Sequence, residues 1–253
     1  MTVNNNWSPL LVPGATASVT FPNLLNVNQR YNIVLGAAFT LGSMTFTSTN
    51  AYTFSSTDLL TLGNGTSNIN SLNVTGSGGV TFNNPVSHIT NTTFAATGSN
   101  ITFAGAFSAG INVQLTLNPA ASQTISFTGG MTVSGNSSIS AVGPGTVLIN
   151  PSSGSVGSTS VFRIRAGTVV VQNAGVVFNP DIINGTLRAN TPDRVRGVVT
   201  MSQGSVFDAV ASQSTIGAIN ISAGEVIGSP GSTVTVGGAR VLESTLTPSI
   251  SVA

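Results

Sequence analysis

The chain has 253 residues, and thirteen of them are charged: seven Arg, six Asp or Glu and no Lys. At 5% charged, where an ordinary domain carries roughly 25%, it lacks the dense basic surface of a nucleic-acid binder. Its 40% apolar content excludes charge-driven disorder, and no apolar run approaches the about twenty residues of a membrane-spanning helix. Gly, Ser, Thr and Asn fill nearly half of the chain. Most of these are poor helix formers, which argues against a helical bundle. Without cysteine, neither a disulfide framework nor a thiolate metal site exists. The texture is uniform from end to end, so the expectation is one domain over residues 1–253, with 1–20 and 240–253 as capping or assembly segments.

Met1-Thr2-Val3-Asn4-Asn5-Asn6 has neither the basic start nor the apolar core of a signal peptide. Trp7, the sole tryptophan, suits a plug over a first coil. From residue 39 onward, large apolar and small polar residues alternate in short runs. Phe39-Thr40-Leu41, Met44-Thr45-Phe46, residues 69–74, Val80-Thr81-Phe82 and Ile101-Thr102-Phe103 come first. Residues 111–117 give the longest strict alternation. Ile125-Ser126-Phe127, Met131-Thr132-Val133 and Val147-Leu148-Ile149 follow, then 161–165, 169–171, 176–178, 198–199, 219–221 and 234–236. Alternation sends one set of side chains to a core and the other to solvent, which is the strand signature. No long stretch carries a helical period.

The intervals select the architecture. Phe82, Phe103, Phe127, Ile149 and Val171 follow one another at a spacing of about 22 residues, within the range of repeat folds. Turn formers lie between them: Gly78-Gly79, Asn83-Asn84-Pro85, Gly129-Gly130, Gly143-Pro144-Gly145 and Asn184-Gly185. A sandwich needs charged outer faces and guarded edges. A parallel β-helix pairs each strand only with the coils before and after it. The near-constant interval predicts an all-β, single-stranded parallel β-helix of about eleven coils, a rod of about 50 Å at about 4.8 Å per coil.

Several segments resemble bacterial autotransporter-type passenger domains. Asn6-Trp7-Ser8, Val12-Pro13-Gly14 and Ser18-Val19-Thr20-Phe21 are similar to their opening, and Leu41-Gly42-Ser43-Met44-Thr45-Phe46 to its continuation. Residues 167–175, Gly-Thr-Val-Val-Val-Gln-Asn-Ala-Gly, resemble their repeat, and Gly185-Thr186-Leu187-Arg188-Ala189 its shorter return. The resemblance implies a surface-exposed β-helix. The final residues, Ser249 to Ala253, do not read as the amphipathic strands of a C-terminal translocator barrel.

Chemistry has few places to reside. No charge occurs between Asp58 and Arg163, and His88 is the only titratable side chain of that stretch. Without an acid nearby in sequence, it reads as an outward strand residue or a satisfied turn donor. Arg163, Arg165, Asp181, Arg188, Asp193, Arg194 and Arg196 form the one ionisable cluster. Arg165 and Arg188 lie about one coil apart, which would stack them as in a polysaccharide-cleaving β-helix, but the cluster offers two carboxylates where such an enzyme needs three. Asp208, Glu225 and Glu243 recur at a near-constant interval, and an exposed, offset arrangement avoids like-charge repulsion. Triplets such as Thr45-Phe46-Thr47, Thr132-Val133-Ser134 and Thr233-Val234-Thr235 are too irregular for an ice-binding array.

The expected function is therefore structural: a subunit of an extracellular or cell-surface β-helical fibre that binds its own kind through its terminal coils. Met1, Thr2, Val3, Trp7, Leu246, Ile250 and Val252 are the expected assembly residues. No catalytic, cofactor or metal site is expected, and no nucleic-acid or membrane-span partner. The alternative is a monomeric passenger or adhesin that binds host or neighbouring-cell ligands. A polysaccharide-active enzyme built on the arginine cluster comes third.

Overall fold

The computed structural model describes residues 14, 16–23, 31–63, 70–151, 154–156, 161–173, 176–202, 204–237, 239–241 and 249–250. All regular structure in these residues is β, in short strands. Successive strands fall on three faces in rotation. Thr92–Ala96 lies in a first sheet, Ile101–Phe103 in a second and Phe107–Ala109 in a third, after which Gln114–Pro119 returns to the first. The sheets hold 13, 11 and 6 strands, and neighbouring strands pair in parallel, as in Thr92↔Leu115, Ile101↔Ile125 and Phe107↔Met131. The chain is thus a parallel β-solenoid of about 9 turns.

The expected number of coils was eleven. The opening coils are wider than the repeat interval read from the sequence, since Ser18 pairs with Ser43 and Met44 with Leu72. Segments at both ends also lie outside the described residues.

Short strands with a buried–half-buried–buried pattern explain the alternation read from the sequence. In Val80–Phe82, Val86–His88 and Ile101–Phe103 the first and third residues enter the core and the middle one faces out. The repeat interval corresponds to one inward column of the second sheet. Phe54, Phe82, Phe103, Phe127, Ile149, Val171 and Ala189 stand directly above one another. The four rings stack with centroids 4.9, 5.3 and 5.0 Å apart. Offset stacking of this kind adds about 0.5–1.5 kcal/mol per pair to the burial itself.

Corners carry a second recurring device. A backbone N–H at a corner has no strand neighbour, and leaving it buried and unpaired is costly. An Asn or Asp side chain of the preceding coil supplies the acceptor. Asn23 Oδ1 accepts from Thr49 N at 2.7 Å, Asn91 from Gln114 N at 2.8 Å, and Asn100 from Thr124 N at 2.7 Å. Asn179 accepts from Val198 N at 2.9 Å. The Asn content is thereby tied to holding one coil on the next.

Beyond residue 161 the coil tightens. Ile139 pairs with Phe162, but the next steps are shorter: Phe162 pairs with Pro180, Asp181 with Thr200 and Ile219 with Ala239. The corner between the third and first faces accounts for the loss. It takes residues 89–91, 110–113 and 134–137 in three successive coils; the next such corner lies outside the described residues, and one coil later Asn179 alone separates Val177–Phe178 from Pro180–Ile182. Thereafter Val195–Met201 and Gln213–Ile221 run through it as single strands with register shifts, the first between Gly197 and Val198. Gly197 sits at φ +77°, and a Cβ there would lie 2.2 Å from Asn179 Oδ1. Only glycine fits.

Candidate functional site

The outer face of the solenoid is where chemistry is available, and it divides into a neutral and a charged part. In an in-register parallel coil, equivalent residues of neighbouring strands stand about 4.8 Å apart. Identical charges repel at that distance, whereas hydroxyls and amides both donate and accept. On the second sheet Thr53, Thr81, Thr102 and Ser126 form one such column, half-buried except for the buried Ser126, whose Oγ donates to Thr102 Oγ1 at 3.1 Å. Thr40, Thr61, Ser87, Ser108 and Thr132 form another on the third sheet. At the head of the second-sheet strands, Thr124, Thr146, Thr168 and Thr186 also align. The triplets singled out from sequence do not share a column: Thr45 lies in the first sheet and Thr132 in the third.

The charged part begins where hydroxyl columns give way to opposite charges. On the first sheet Ser140, Arg163 and Asp181 are successive rungs, and Arg163 Nε lies 3.7 Å from Asp181 Oδ2. On the second, Arg188 stands between Val170 and Asp208. Arg188 Nε donates to Asp208 Oδ2 at 2.7 Å. Asp208 is buried, whereas half of the Arg188 side chain is exposed. Arg165 does not stack with Arg188; it follows the first-sheet strand Val161–Ile164, whereas Arg188 lies within the second-sheet strand Thr186–Ala189. That expectation carried the wide coil into a region where the coil is shorter. Asp208 and Glu225 are likewise offset, since Glu225 pairs with Val206 and Asp208 with Ile227. Glu225 is exposed as expected, but Asp208 is not. Glu243 lies outside the described residues.

Two polar side chains near this region act on backbone. Asp193, at φ 58°, accepts from Ser214 N at 2.7 Å and Ser214 Oγ at 2.8 Å. The Ser214 N–H first, then its hydroxyl, holds the Asp193 carboxyl below its ordinary range, with Arg194 and Arg196 adding to the effect. Gln213 is fully buried. Its Oε1 accepts from Arg194 N and Val195 N at 2.9 and 3.2 Å, and its Nε2 donates to Thr191 O and Ala211 O, both at 2.9 Å. Nothing in Ala211-Ser212-Gln213-Ser214 separates this side chain from an outward polar one, so the sequence did not reveal it.

His88 is the clearest correction. It points inward and is fully buried, not outward on its strand. The signal was present: in a strand where Val86 faces the core, His88 has the same parity.

Of the expected assembly residues, Met1, Thr2, Val3, Trp7, Leu246 and Val252 lie outside the described residues. Ile250 is placed: the short strand Ser249–Ile250 closes the second sheet, with Ile250 opposite Val226. Among the described residues no three His, Asp or Glu side chains gather as metal ligands, and no helix is long and apolar enough to cross a membrane. Comparison with protein-family models, curated proteins and solved structures found no match for this chain.

Proposed function

We propose that the chain is a structural subunit of an extracellular or cell-surface fibre, extended by contact between the terminal coils of successive copies. One observation carries the reading. The first sheet runs the length of the solenoid from Ser18–Phe21 to Val234–Val236, and each of these strands has a neighbour on one side only among the described strands. A parallel sheet that ends in this way is a template for a further strand. Head-to-tail contact through unlike ends does not close on itself and gives a filament. The resemblance of residues 6–21 and 167–175 to autotransporter-type passengers supports a surface location. The assembly residues remain Met1, Thr2, Val3, Trp7, Leu246, Ile250 and Val252, and no catalytic role is assigned. Electron microscopy and light scattering over a dilution series test this. Filaments that survive dilution are expected, and deletion of residues 1–7 should stop elongation. Monodisperse rods at every concentration would sink the proposal.

A second reading, a monomeric passenger or adhesin binding ligands of host or neighbouring cells, is favoured by the unequal ends. The first coil runs from Ser18 to Ser43, and the shorter last one from Ile219 to Ala239. Coaxial stacking must therefore join cross-sections of different width. Monodisperse rods that bind a cell surface would favour this reading.

A further inference from the structure

The third sheet contains one ionisable side chain among its described strands, and it points into the core. His88 has Leu62 and Ala109 as its register partners. Its ring lies nearly parallel to Phe107, with centroids 5.7 Å apart and planes at 21°, and edge-on to Phe94 at 6.4 Å. Nδ1 is 3.3 Å from the Thr90 carbonyl oxygen. Nε2 is buried and has no hydrogen-bond partner among the described residues.

This geometry suits one protonation state. With the proton on Nδ1, the neutral ring donates to Thr90 and leaves Nε2 as a bare acceptor against apolar atoms. A second proton puts a donor there with nothing among the described residues to receive it and adds a charge inside a stack of rings. The Phe107 face offers some cation–π attraction, but far less than the hydration the imidazolium loses on burial. The elements packed on the ring are Leu60–Leu62, Thr92–Ala96 and Phe107–Ala109, and none bears a titratable or charged side chain. The nearest charges on either side along the chain are Asp58 and Arg163. Asp58 precedes the far end of Leu60–Leu62, whereas His88 stands over Leu62.

We infer that the third-sheet rungs Leu60–Leu62, Val86–His88 and Phe107–Ala109, one from each of three successive coils, form an acid-sensitive joint, which opens when His88 is protonated while the coils of residues 161–241 stay wound. A solenoid permits such local opening, because each coil is held only by its two neighbours. Burial holds the imidazole well below its ordinary value, at about 4, with the Thr90 carbonyl opposing weakly. The folded coil therefore takes up a proton less readily than the unfolded chain. The stability that the neutral ring contributes is fully present above pH about 6.5 and is lost as the pH falls towards about 4. Ordinary carboxylates titrate near 4, so the interval from about 6.5 to 4.5 isolates the imidazole.

The chain has a single histidine, so its ring resonances are unambiguous in an NMR titration. The expected midpoint lies well below 6.5. Backbone amide exchange, corrected for its intrinsic pH dependence, should show protection falling at residues 86–96 between pH 7 and 4.5 while residues 186–209 stay protected. In His88→Leu this acid response should vanish. A ring that titrates near 6.5 in the fully folded protein would overturn the inference. So would an equal loss of protection in both regions, or an unchanged acid response in His88→Leu. Should that variant not fold, the wild-type titration and exchange profile decide alone.

Discussion

The described residues of 39–156 and of 161–241 wind the same kind of coil with circumferences of different length. In the first region three separate strands and a distinct corner make the longer coils, as between Thr92, Leu115 and Ile139. Their interior takes stacked Phe rings from Phe82 to Phe127. In the second, the corner shrinks to Asn179 and then to a register shift at Gly197. The column that held phenylalanines now holds Val171 and Ala189. Corner length sets the circumference, and in this column the side chains shorten with it, while Phe162 and Phe207 fill other inward positions of the narrow core.

The outer faces differ by the same logic of stacking. Neutral hydroxyl columns cover the wide region. The narrow region places Arg163 on Asp181 and Arg188 on Asp208. Both solve one problem, since in-register strands bring like residues together and only self-compatible or alternating groups tolerate it. The scarcity of charge in this chain follows from its repeat.

The contrast can be tested by substitution, with unfolding followed by denaturant titration. Phe103→Ala should cost most, about 3–5 kcal/mol, because Phe103 stacks on both Phe82 and Phe127. A loss no larger than that of Val171→Ala would show that core width does not govern the energetics. Gln213→Ala should follow at about 3 kcal/mol, since it strands two N–H and two carbonyl groups beneath the surface. Recovery in Gln213→Glu is not expected, because a carboxylate cannot donate to Thr191 O and Ala211 O.

Gly197→Ala should cost about 1–3 kcal/mol through its left-handed backbone and the Asn179 contact. A neutral outcome would mean that the narrow corner has room to relax. Arg188→Ala should cost about 1–2 kcal/mol by leaving the buried Asp208 unpaired, a figure reduced from that of a fully buried pair because Arg188 is half exposed. The double variant Arg188→Ala, Asp208→Asn should regain part of it. The smallest effect belongs to Asp193. Its depressed carboxyl stabilises the fold above the ordinary Asp range, and that contribution is lost as the pH falls through the lower folded value. Asp193→Asn keeps the Ser214 bracket and should flatten the pH dependence in that acid window.

Legibility followed the same boundary. The alternation and the repeat interval disclosed the solenoid and the Phe82–Val171 column, because in the wide region one coil is one interval. Carrying that interval past residue 161 placed Arg188 over Arg165, where the shortened coil instead places it over Val170 and under Asp208. His88 was read from its chemistry, although the parity of Val86–His88 already turned it inward. Gln213 had no local signal, since three of its four partners, Thr191, Arg194 and Val195, belong to the preceding coil.

The sequence by itself determined that this is a charge-poor, cysteine-free β rod, with inward residues fixed by strict alternation and coils by a longer, nearly constant interval. Those properties are local or periodic, so a single strand or repeat already contains them. Only the tertiary fold settled where the coil narrows, which charges meet across it, and that a lone imidazole is shut inside with one nitrogen unpaired among the described residues. Which charges meet depends on the length of the corners between strands, and the fate of the imidazole on which rings the neighbouring coils bring against it. A small change in one corner alters which side chains meet in every coil that follows.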